Sequence, residues 1–366
     1  MRYFCILAFT TVYQLAHAQL DSIYDQGSYR TFIIHLPSGY NENTDYPLVL
    51  NLHGLGSSAF EQQLYSQFDA IADAEQFIVV YANAIDNNWD LFGATDINFI
   101  SHLVDTLRQR YSTNNCLFST GMSQGGFLSY KLACELPQSI TAIAVVTGNM
   151  LIAWQNSCDI EGTMPVMHFH GTADQVVNYN GSFGVSPVEG TALWWAEENN
   201  CNDPPFITEL PDIDTNDNST VEKHIYWGCD AGGDVLLYKI INGGHTWPGT
   251  FPVQSLGNTN QDINASELIG DFFSEHCTIS TSFNSIIDQN DILVYPNPAI
   301  KSFTLSWPDQ IFDIIIYDLE GRKVFVQKEN SGNIEINTEK LQAGVYIIQL
   351  KMKNDIVLYK KITVQR

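Results

Sequence analysis

Leu117-Phe118-Ser119-Thr120-Gly121-Met122-Ser123-Gln124-Gly125-Gly126 is the stretch on which the fold turns. A short apolar run at 117–120 leads into Gly-x-Ser-x-Gly, and a helical pattern at 124–135 follows at once. A serine on such a strand-to-helix turn is held with its hydroxyl exposed at the top of a sheet, and the flanking glycines permit the close backbone approach that the turn needs. The pentapeptide alone arises often by chance. Its setting between strand and helix makes Ser123 a candidate nucleophile rather than one more residue of a glycine-rich turn.

Outward from this turn, apolar strands at 32–36, 48–52, 77–81, 142–146, 166–170 and 236–241 alternate with amphipathic stretches at 60–74, 97–111, 187–199 and 264–276. That alternation predicts an α/β domain, with a mostly parallel central sheet covered by helices on both faces. Ligands of such sheets bind at the carboxyl ends of strands, so functional residues are expected directly after them. His245 follows the strand at 236–241 in Asn242-Gly243-Gly244-His245-Thr246-Trp247-Pro248-Gly249, where glycine and proline impose a loop. It is the candidate general base. His35, His168 and His170 fall on strands, where a buried, hydrogen-bonded histidine is the usual explanation, and His102, His224 and His276 lack a glycine-rich setting. Asp174 follows the strand at 166–170 through Gly171-Thr172-Ala173; its role would be to orient the imidazole and stabilise the imidazolium. The chain order Ser, Asp, His is that of α/β-hydrolases, which Asp86 and Asp90, lying before the serine, fit poorly.

A tetrahedral oxyanion needs donors. The N–H of Gln124 is one, and the loop His53-Gly54-Leu55-Gly56 after the strand at 48–52 supplies the other through the Leu55 N–H, with His53 bracing the loop. Trp247 and Trp89, in loops after strands, are candidates for the substrate pocket, and Asp96 reads as an N-cap. Asp212-Ile213-Asp214-Thr215-Asn216-Asp217 is like the start of a calcium loop, but its sixth position is Asp217, not Gly, and its twelfth is Lys223, not Glu. It reads as an acidic surface turn, and no metal site is expected.

The chain has 366 residues, 45% of them hydrophobic, which suits two domains with substantial cores. Its net charge of −24 argues against nucleic acid or an anionic membrane surface as partner. Residues 1–18 read as a signal peptide: Arg2, an apolar run at 6–12 too short to span a bilayer, then Ala16-His17-Ala18. No later segment reads as a membrane span. Excluding Cys5, six of the seven cysteines remain, an even number that in an exported chain suggests disulfides of open pairing. None forms a C-x-x-C pair, so zinc is poorly supported. Residues 278–290 are rich in Ser, Thr, Asn and Asp and read as a linker between an α/β domain at 19–277 and a β-sandwich at 291–366 with short alternating strands. Ten of the 17 basic but only nine of the 41 acidic residues lie from Asp291 onward, so the excess acidity belongs to the first domain.

With these residues placed, the first domain resembles the secreted polyhydroxybutyrate depolymerase and feruloyl/acetylxylan esterase group of α/β-hydrolases, from about Tyr29 to Cys277. The carriers are Leu52-His53-Gly54, the serine turn, His168-Phe169-His170-Gly171-Thr172-Ala173-Asp174 and, most specific, Gly-His-x-Trp-Pro-Gly at 244–249. The resemblance implies a triad of Ser123, Asp174 and His245 and an acyl-enzyme. It implies no metal or organic cofactor. The substrate would be a polymeric or oligomeric ester, either a polyester or a feruloyl- or acetyl-bearing polysaccharide. It also implies a Cys201–Cys229 pair, with Cys134–Cys158 and Cys116–Cys277 as further candidates. Many members carry cysteine after His-Gly where this chain has Leu55, a side chain that a backbone donor does not need. A peptidase on the same fold rests on fold analogy alone; a non-catalytic surface-binding protein would have no reason to keep all three triad roles. The second domain, through Val294-Tyr295-Pro296-Asn297-Pro298, Tyr317-Asp318-Leu319-Glu320-Gly321-Arg322 and Gly344-Val345-Tyr346-Ile347, is similar to the type A C-terminal sorting domain of the type IX secretion system. That implies Sec export, then type IX secretion to the extracellular space or cell surface, with the secretion machinery as partner.

Overall fold

A computed structural model of the chain describes residues 19–277 except Glu161, and residues 293–365 except 307–310, 319–321, 329–332 and 353–356. The expected signal peptide at 1–18 and the whole expected linker at 278–290, with residues 291–292, lie outside the described residues. The chain divides into two compact units, Met1–Ile279 and Ser280–Arg366.

In the first unit the elements run β1 (Gln19–Asp25), β2 (Ser28–His35), β3 (Tyr46–Leu52), α1 (Ala59–Ser66), α2 (Phe68–Glu75), β4 (Ile78–Ala82), α3 (Thr95–Arg110), β5 (Thr113–Met122), α4 (Gln124–Glu135), β6 (Ala142–Val146), α5 (Ile152–Gln155), β7 (Val166–Gly171), α6 (Val188–Glu198), β8 (Asn202–Glu209), β9 (Thr220–Trp227), β10 (Val235–Ile241) and α7 (Ala265–His276). They build one ten-stranded sheet in the order β1-β2-β4-β3-β5-β6-β7-β10-β9-β8. Strands β4, β3, β5, β6, β7 and β10 are mutually parallel, and antiparallel pairs flank them at both edges. This is the α/β class, with its mostly parallel central sheet, that the strand–helix alternation predicts.

Successive strand residues face opposite sides of the sheet. Leu48, Leu50 and Leu52 join the apolar layer of α3, α4 and α6, while Val49 joins that of α2 and α7. Both faces are buried, so the strands read as continuous apolar runs. Among the described residues no helix is long and apolar enough to cross a membrane.

The structure departs from the sequence reading in identifiable places. The single helix expected at 60–74 is two, broken at Gln67, which adopts the left-handed conformation (φ 52°) and donates its N–H to the Gln63 carbonyl. The apolar periodicity runs on across this break, so the sequence pattern does not register it. The break buries Ser66, whose carbonyl accepts from the Ser266 hydroxyl at 2.6 Å. Strands β1, β8 and β9 were not expected. β1 and β8 lie at the edges and β9 pairs with β8; β8 contains Pro204 and Pro205 and is exposed along most of its length, so it carries no alternation to detect.

The second unit holds β11 (Leu293–Tyr295), β12 (Ser302–Ser306), β13 (Ile311–Tyr317), β14 (Lys323–Lys328), β15 (Asn333–Asn337), β16 (Gly344–Met352) and β17 (Val357–Val364). Two antiparallel sheets, β11-β12-β15 and β14-β13-β16-β17, enclose a core that includes Phe303, Leu305, Ile314, Ile316, Ile348 and Leu350.

Disulfides join Cys116 to Cys277, Cys134 to Cys158 and Cys201 to Cys229, at sequence separations of 161, 24 and 28. The first ties the beginning of β5 to the residue after α7, and so closes residues 116–277 into one loop. Constraint of the unfolded chain grows with loop length. Replacing Cys116 and Cys277 together by alanine is therefore expected to lower the unfolding free energy by about 2–5 kcal/mol. The loss should exceed that from removing either shorter-loop pair in the same urea titration; the opposite ranking would contradict the loop-length account.

Candidate active site

The site lies where β3, β5, β7 and β10 end. Ser123 follows β5 and caps α4 with φ 53° and ψ −120°, a conformation rare for a residue with a side chain. Its N–H donates to the Val146 carbonyl at 2.9 Å, which ties the turn to the end of β6. Its hydroxyl makes no capping bond to the helix. Gly125 allows α4 to start this close to the sheet: a Cβ there would lie 2.1 Å from the Leu52 carbonyl oxygen. Gly54 brings the loop after β3 beside the serine, since a Cβ on Gly54 would stand 3.3 Å from the Cβ of Ser123.

That loop is held by His53. Its Nε2 accepts the Ala84 N–H at 3.1 Å, so the ring proton sits on Nδ1, which donates to the Gly54 carbonyl at 2.7 Å. The same carbonyl accepts from the Ser57 N–H at 3.1 Å. In a trans peptide the C=O and N–H point in opposite directions. Fixing the Gly54 carbonyl therefore aims the Leu55 N–H away from His53. Burial pushes the His53 imidazole below its ordinary pKa, in keeping with a neutral brace. Trp89 stacks on His53 with ring centres 4.9 Å apart and donates its indole N–H to the His53 carbonyl at 2.8 Å.

Gln124 ties the next loop down. Its Oε1 accepts the Trp89 N–H at 3.0 Å and its amide donates to Asn88 Oδ1 at 2.6 Å. An open cleft of about 350 Å³ is lined by Asn88, Trp89, Asp90, Leu91, Phe92 and Gln124. Lys131, buried on α4, donates to the Gly93 and Asp90 carbonyls and braces the outer part of this loop.

Asp174 and His245 meet from β7 and β10, which are paired in parallel register. Asp174 Oδ2 lies 2.7 Å from His245 Nδ1, and the other carboxylate oxygen accepts the Val176 and Val177 N–H groups at 2.8 and 2.9 Å. Burial alone would raise the Asp174 carboxyl, but hydrogen bonds from His170 and His245 hold it well below the usual carboxylate range. The carboxylate thus takes the proton-bearing Nδ1 of His245 and leaves Nε2 as the free basic atom. The His245 N–H donates to the Leu256 carbonyl at 2.7 Å, and Gly244 to Asn258 at 2.9 Å, so the loop carrying the imidazole is fixed from behind.

Several residues act differently from the sequence expectation. Trp247 is completely buried, with its indole N–H on the Ser266 hydroxyl at 3.0 Å. It anchors the His245 loop to α7 and offers no surface to a substrate. Trp89 is only 2% exposed and reaches the cleft by an edge. Asp96 is not a cap: the N-cap position of α3 is Ala94. Asp96 is instead buried against Arg30 at 2.6 Å and accepts the Asp90 N–H at 2.6 Å. The calcium-like stretch uses its carboxylates on backbone: Asp214 accepts the Asn216 N–H, and Asp217 those of Ser219 and Gln261.

The sequence reading left His168 and His170 as structural. Both face the same side of β7 by the period of two, the side on which α4 packs, and they connect Tyr130 to Asp174. The signal was the i, i+2 spacing of two histidines directly before the acid.

Comparison with known proteins gives the family. Residues 25–224 match the family described as putative esterase, and residues 293–365 match the secretion system C-terminal sorting domain. The first match includes Ser123 and Asp174 and ends before His245. A bifunctional acetylxylan esterase/xylanase of Neocallimastix patriciarum is 27% identical over 237 residues, which are 63% of this chain and 33% of that protein. Feruloyl esterase D of Neurospora crassa is 27% identical over 234 residues, 60% of this chain and 74% of the relative. The chain thus spans about a third of the length of the bifunctional relative. An acetyl xylan esterase from Aspergillus awamori is a structural neighbour with a TM-score of 0.49 and 17% identity, covering 65% of this chain and 96% of that one. By the match over more than half its length, the chain belongs to the putative esterase family, and it carries a secretion-system C-terminal sorting domain behind the esterase unit.

Proposed function

We propose that this chain is a secreted carboxylic-ester hydrolase that works through a covalent acyl-enzyme on Ser123. The observation that carries the reading is the buried Asp174–His245 contact of 2.7 Å after β7 and β10, in the same parallel sheet whose strand β5 ends in a serine held at φ 53°. The Ser123 oxygen attacks the ester carbonyl carbon while its proton passes to His245 Nε2. The oxyanion is met by the N–H groups of Leu55 and Gln124. Collapse breaks the carbon–oxygen bond to the alcohol, which leaves with the proton from His245. Water, deprotonated by the same imidazole, then releases the acid and restores the serine.

The site's surroundings favour bulky esters. Leu55, Phe92, Val176 and Phe183 are large apolar side chains exposed on the loops that follow β3, β4 and β7, and the cleft beside Gln124 is open rather than enclosed. The relatives are named as an acetylxylan esterase/xylanase and a feruloyl esterase. That favours ester-bearing polysaccharide over polyester within the wider class of polymeric esters. The sorting domain supports export by the type IX route, after passage through Sec if residues 1–18 are removed as a signal peptide.

Ser123→Ala is expected to reduce p-nitrophenyl butyrate hydrolysis to background, and Asp174→Asn to lower kcat by about ten-thousandfold. Equal activity of wild type and Ser123→Ala would overturn the assignment. Cleavage of a peptide with no ester hydrolysis would favour a peptidase. Methyl ferulate, acetylated xylan and poly(3-hydroxybutyrate), assayed side by side, should show the first two preferred. Because Asp174 stays ionised well below the usual carboxylate range, the rate should fall with falling pH through one ionisation, that of the base. A two-proton slope in kcat/KM above about pH 4 would contradict this.

A further inference from the structure

A buried polar line runs behind the acid. The Tyr130 hydroxyl lies 2.9 Å from His168 Nδ1, His168 Nε2 lies 3.1 Å from His170 Nδ1, and His170 Nε2 lies 2.8 Å from the Val177 carbonyl and 3.4 Å from Asp174 Oδ2. Tyr130, His168 and His170 are each 1% exposed or less.

The partners decide where the protons are. Both neighbours of His170 Nε2 are acceptors, so that nitrogen carries a proton. A neutral His170 then accepts at Nδ1, which puts the His168 proton on Nε2 and leaves His168 Nδ1 to accept from Tyr130. With His170 neutral, and the Gly148 carbonyl as a further acceptor beside His168, the line runs from Tyr130 to His168 to His170 to Asp174. A cationic His170 would reverse it, leave the Tyr130 proton without an acceptor and set an additional charge in the interior. Burial, then the neighbouring His170, push the His168 imidazole well below its ordinary pKa, and burial pushes the Tyr130 phenol up, in keeping with a neutral His168 and a protonated Tyr130.

We propose that His170 is a positioning residue for the catalytic acid: its Nε2–H clamps the Val177 carbonyl and faces Asp174 Oδ2, while Val176 and Val177 hold the other carboxylate oxygen. The proposal rests on the reading of Ser123, Asp174 and His245 as a triad. His170 shares with His245 the negative charge of one carboxylate oxygen. It thereby sets how strongly Asp174 favours the imidazolium over the neutral base. The other titratable groups around it are His168 on the same strand, Tyr130 from α4, His245 from the loop after β10, and Tyr179, whose ring centre is 5.9 Å from that of His170. The Tyr179 hydroxyl is turned to Glu189, which is in turn paired with Lys239.

Two measurements test this. In the first, kcat and KM for p-nitrophenyl butyrate are followed against pH for wild type, His170→Phe and His170→Gln. The phenylalanine removes the donor. The expected result is a fall in kcat of about ten- to a hundredfold with KM little changed, together with an upward move of the acid-limb midpoint, because an unshared carboxylate charge holds the imidazolium to higher pH. Glutamine places an amide N–H near the position of Nε2 and should return the midpoint to that of wild type. Equal losses of kcat in both variants with an unmoved midpoint would reduce His170 to packing and overturn the proposal. The second needs no substitution and so survives a variant that does not fold. In wild-type protein with 15N-labelled histidine at about pH 8, where an unperturbed imidazole is neutral, His168 and His170 should both carry their proton on Nε2. A cationic or Nδ1-protonated His170 would overturn the proposal. Full activity of Ser123→Ala would instead overturn the triad reading, whatever the histidine spectra show.

Discussion

The start of α4 touches the end of β3 backbone to backbone, and the site depends on that contact. At Gly125 any side chain would meet the Leu52 carbonyl at 2.1 Å. The helix can begin there only because glycine stands on the contact face. This close start forces Ser123 into its left-handed turn and brings the Leu52–Leu55 loop alongside it. It also lets the Gln124 side chain reach the loop after β4. The candidate nucleophile, both candidate oxyanion donors and one wall of the cleft all lie around a single steric allowance. The parallel pairing of β7 with β10 does the corresponding work for Asp174 and His245, by ending two strands in register at the same edge.

Around this frame buried polar side chains hold the site loops in series. His53 fixes one peptide plane, Trp89 fixes His53, and Asp96 with Arg30 fixes the turn that carries Trp89 and Asp90. Asp174 is ionised in the interior because four donors face it: two backbone N–H groups, His245 and, at longer reach, His170. A buried carboxylate with fewer donors would tend to take up a proton and would no longer orient a neutral imidazole. The side chains that serve this arrangement lie on several elements, and many are out of contact with solvent.

That distribution explains what could be read from the chain in advance. Ser123, Asp174 and His245 could be picked out as candidates because each lies shortly after an apolar strand and near a glycine, which is a local pattern. The parallel sheet was legible for the same reason. The edge strand β8 was not, because exposure on both faces and two prolines erase the period of two. The break at Gln67 was not, because the helical period continues through it. Asp96 was misread as a cap since its partner, Arg30, is 66 residues away. Trp247 was misread as a pocket residue because its nearness to His245 in sequence says nothing of its indole turning inward to Ser266. Long-range pairing and side-chain direction are tertiary properties, and neither leaves a mark in spacing.

The central claim is that Ser123 alone is the covalent nucleophile. Intact-mass and peptide-level spectrometry after treatment with a fluorophosphonate ester tests it directly. The account predicts one adduct per chain, located on the peptide containing Ser123, formed in step with the loss of ester hydrolysis. An adduct on another residue, or hydrolysis that persists when Ser123 is fully modified, would contradict it.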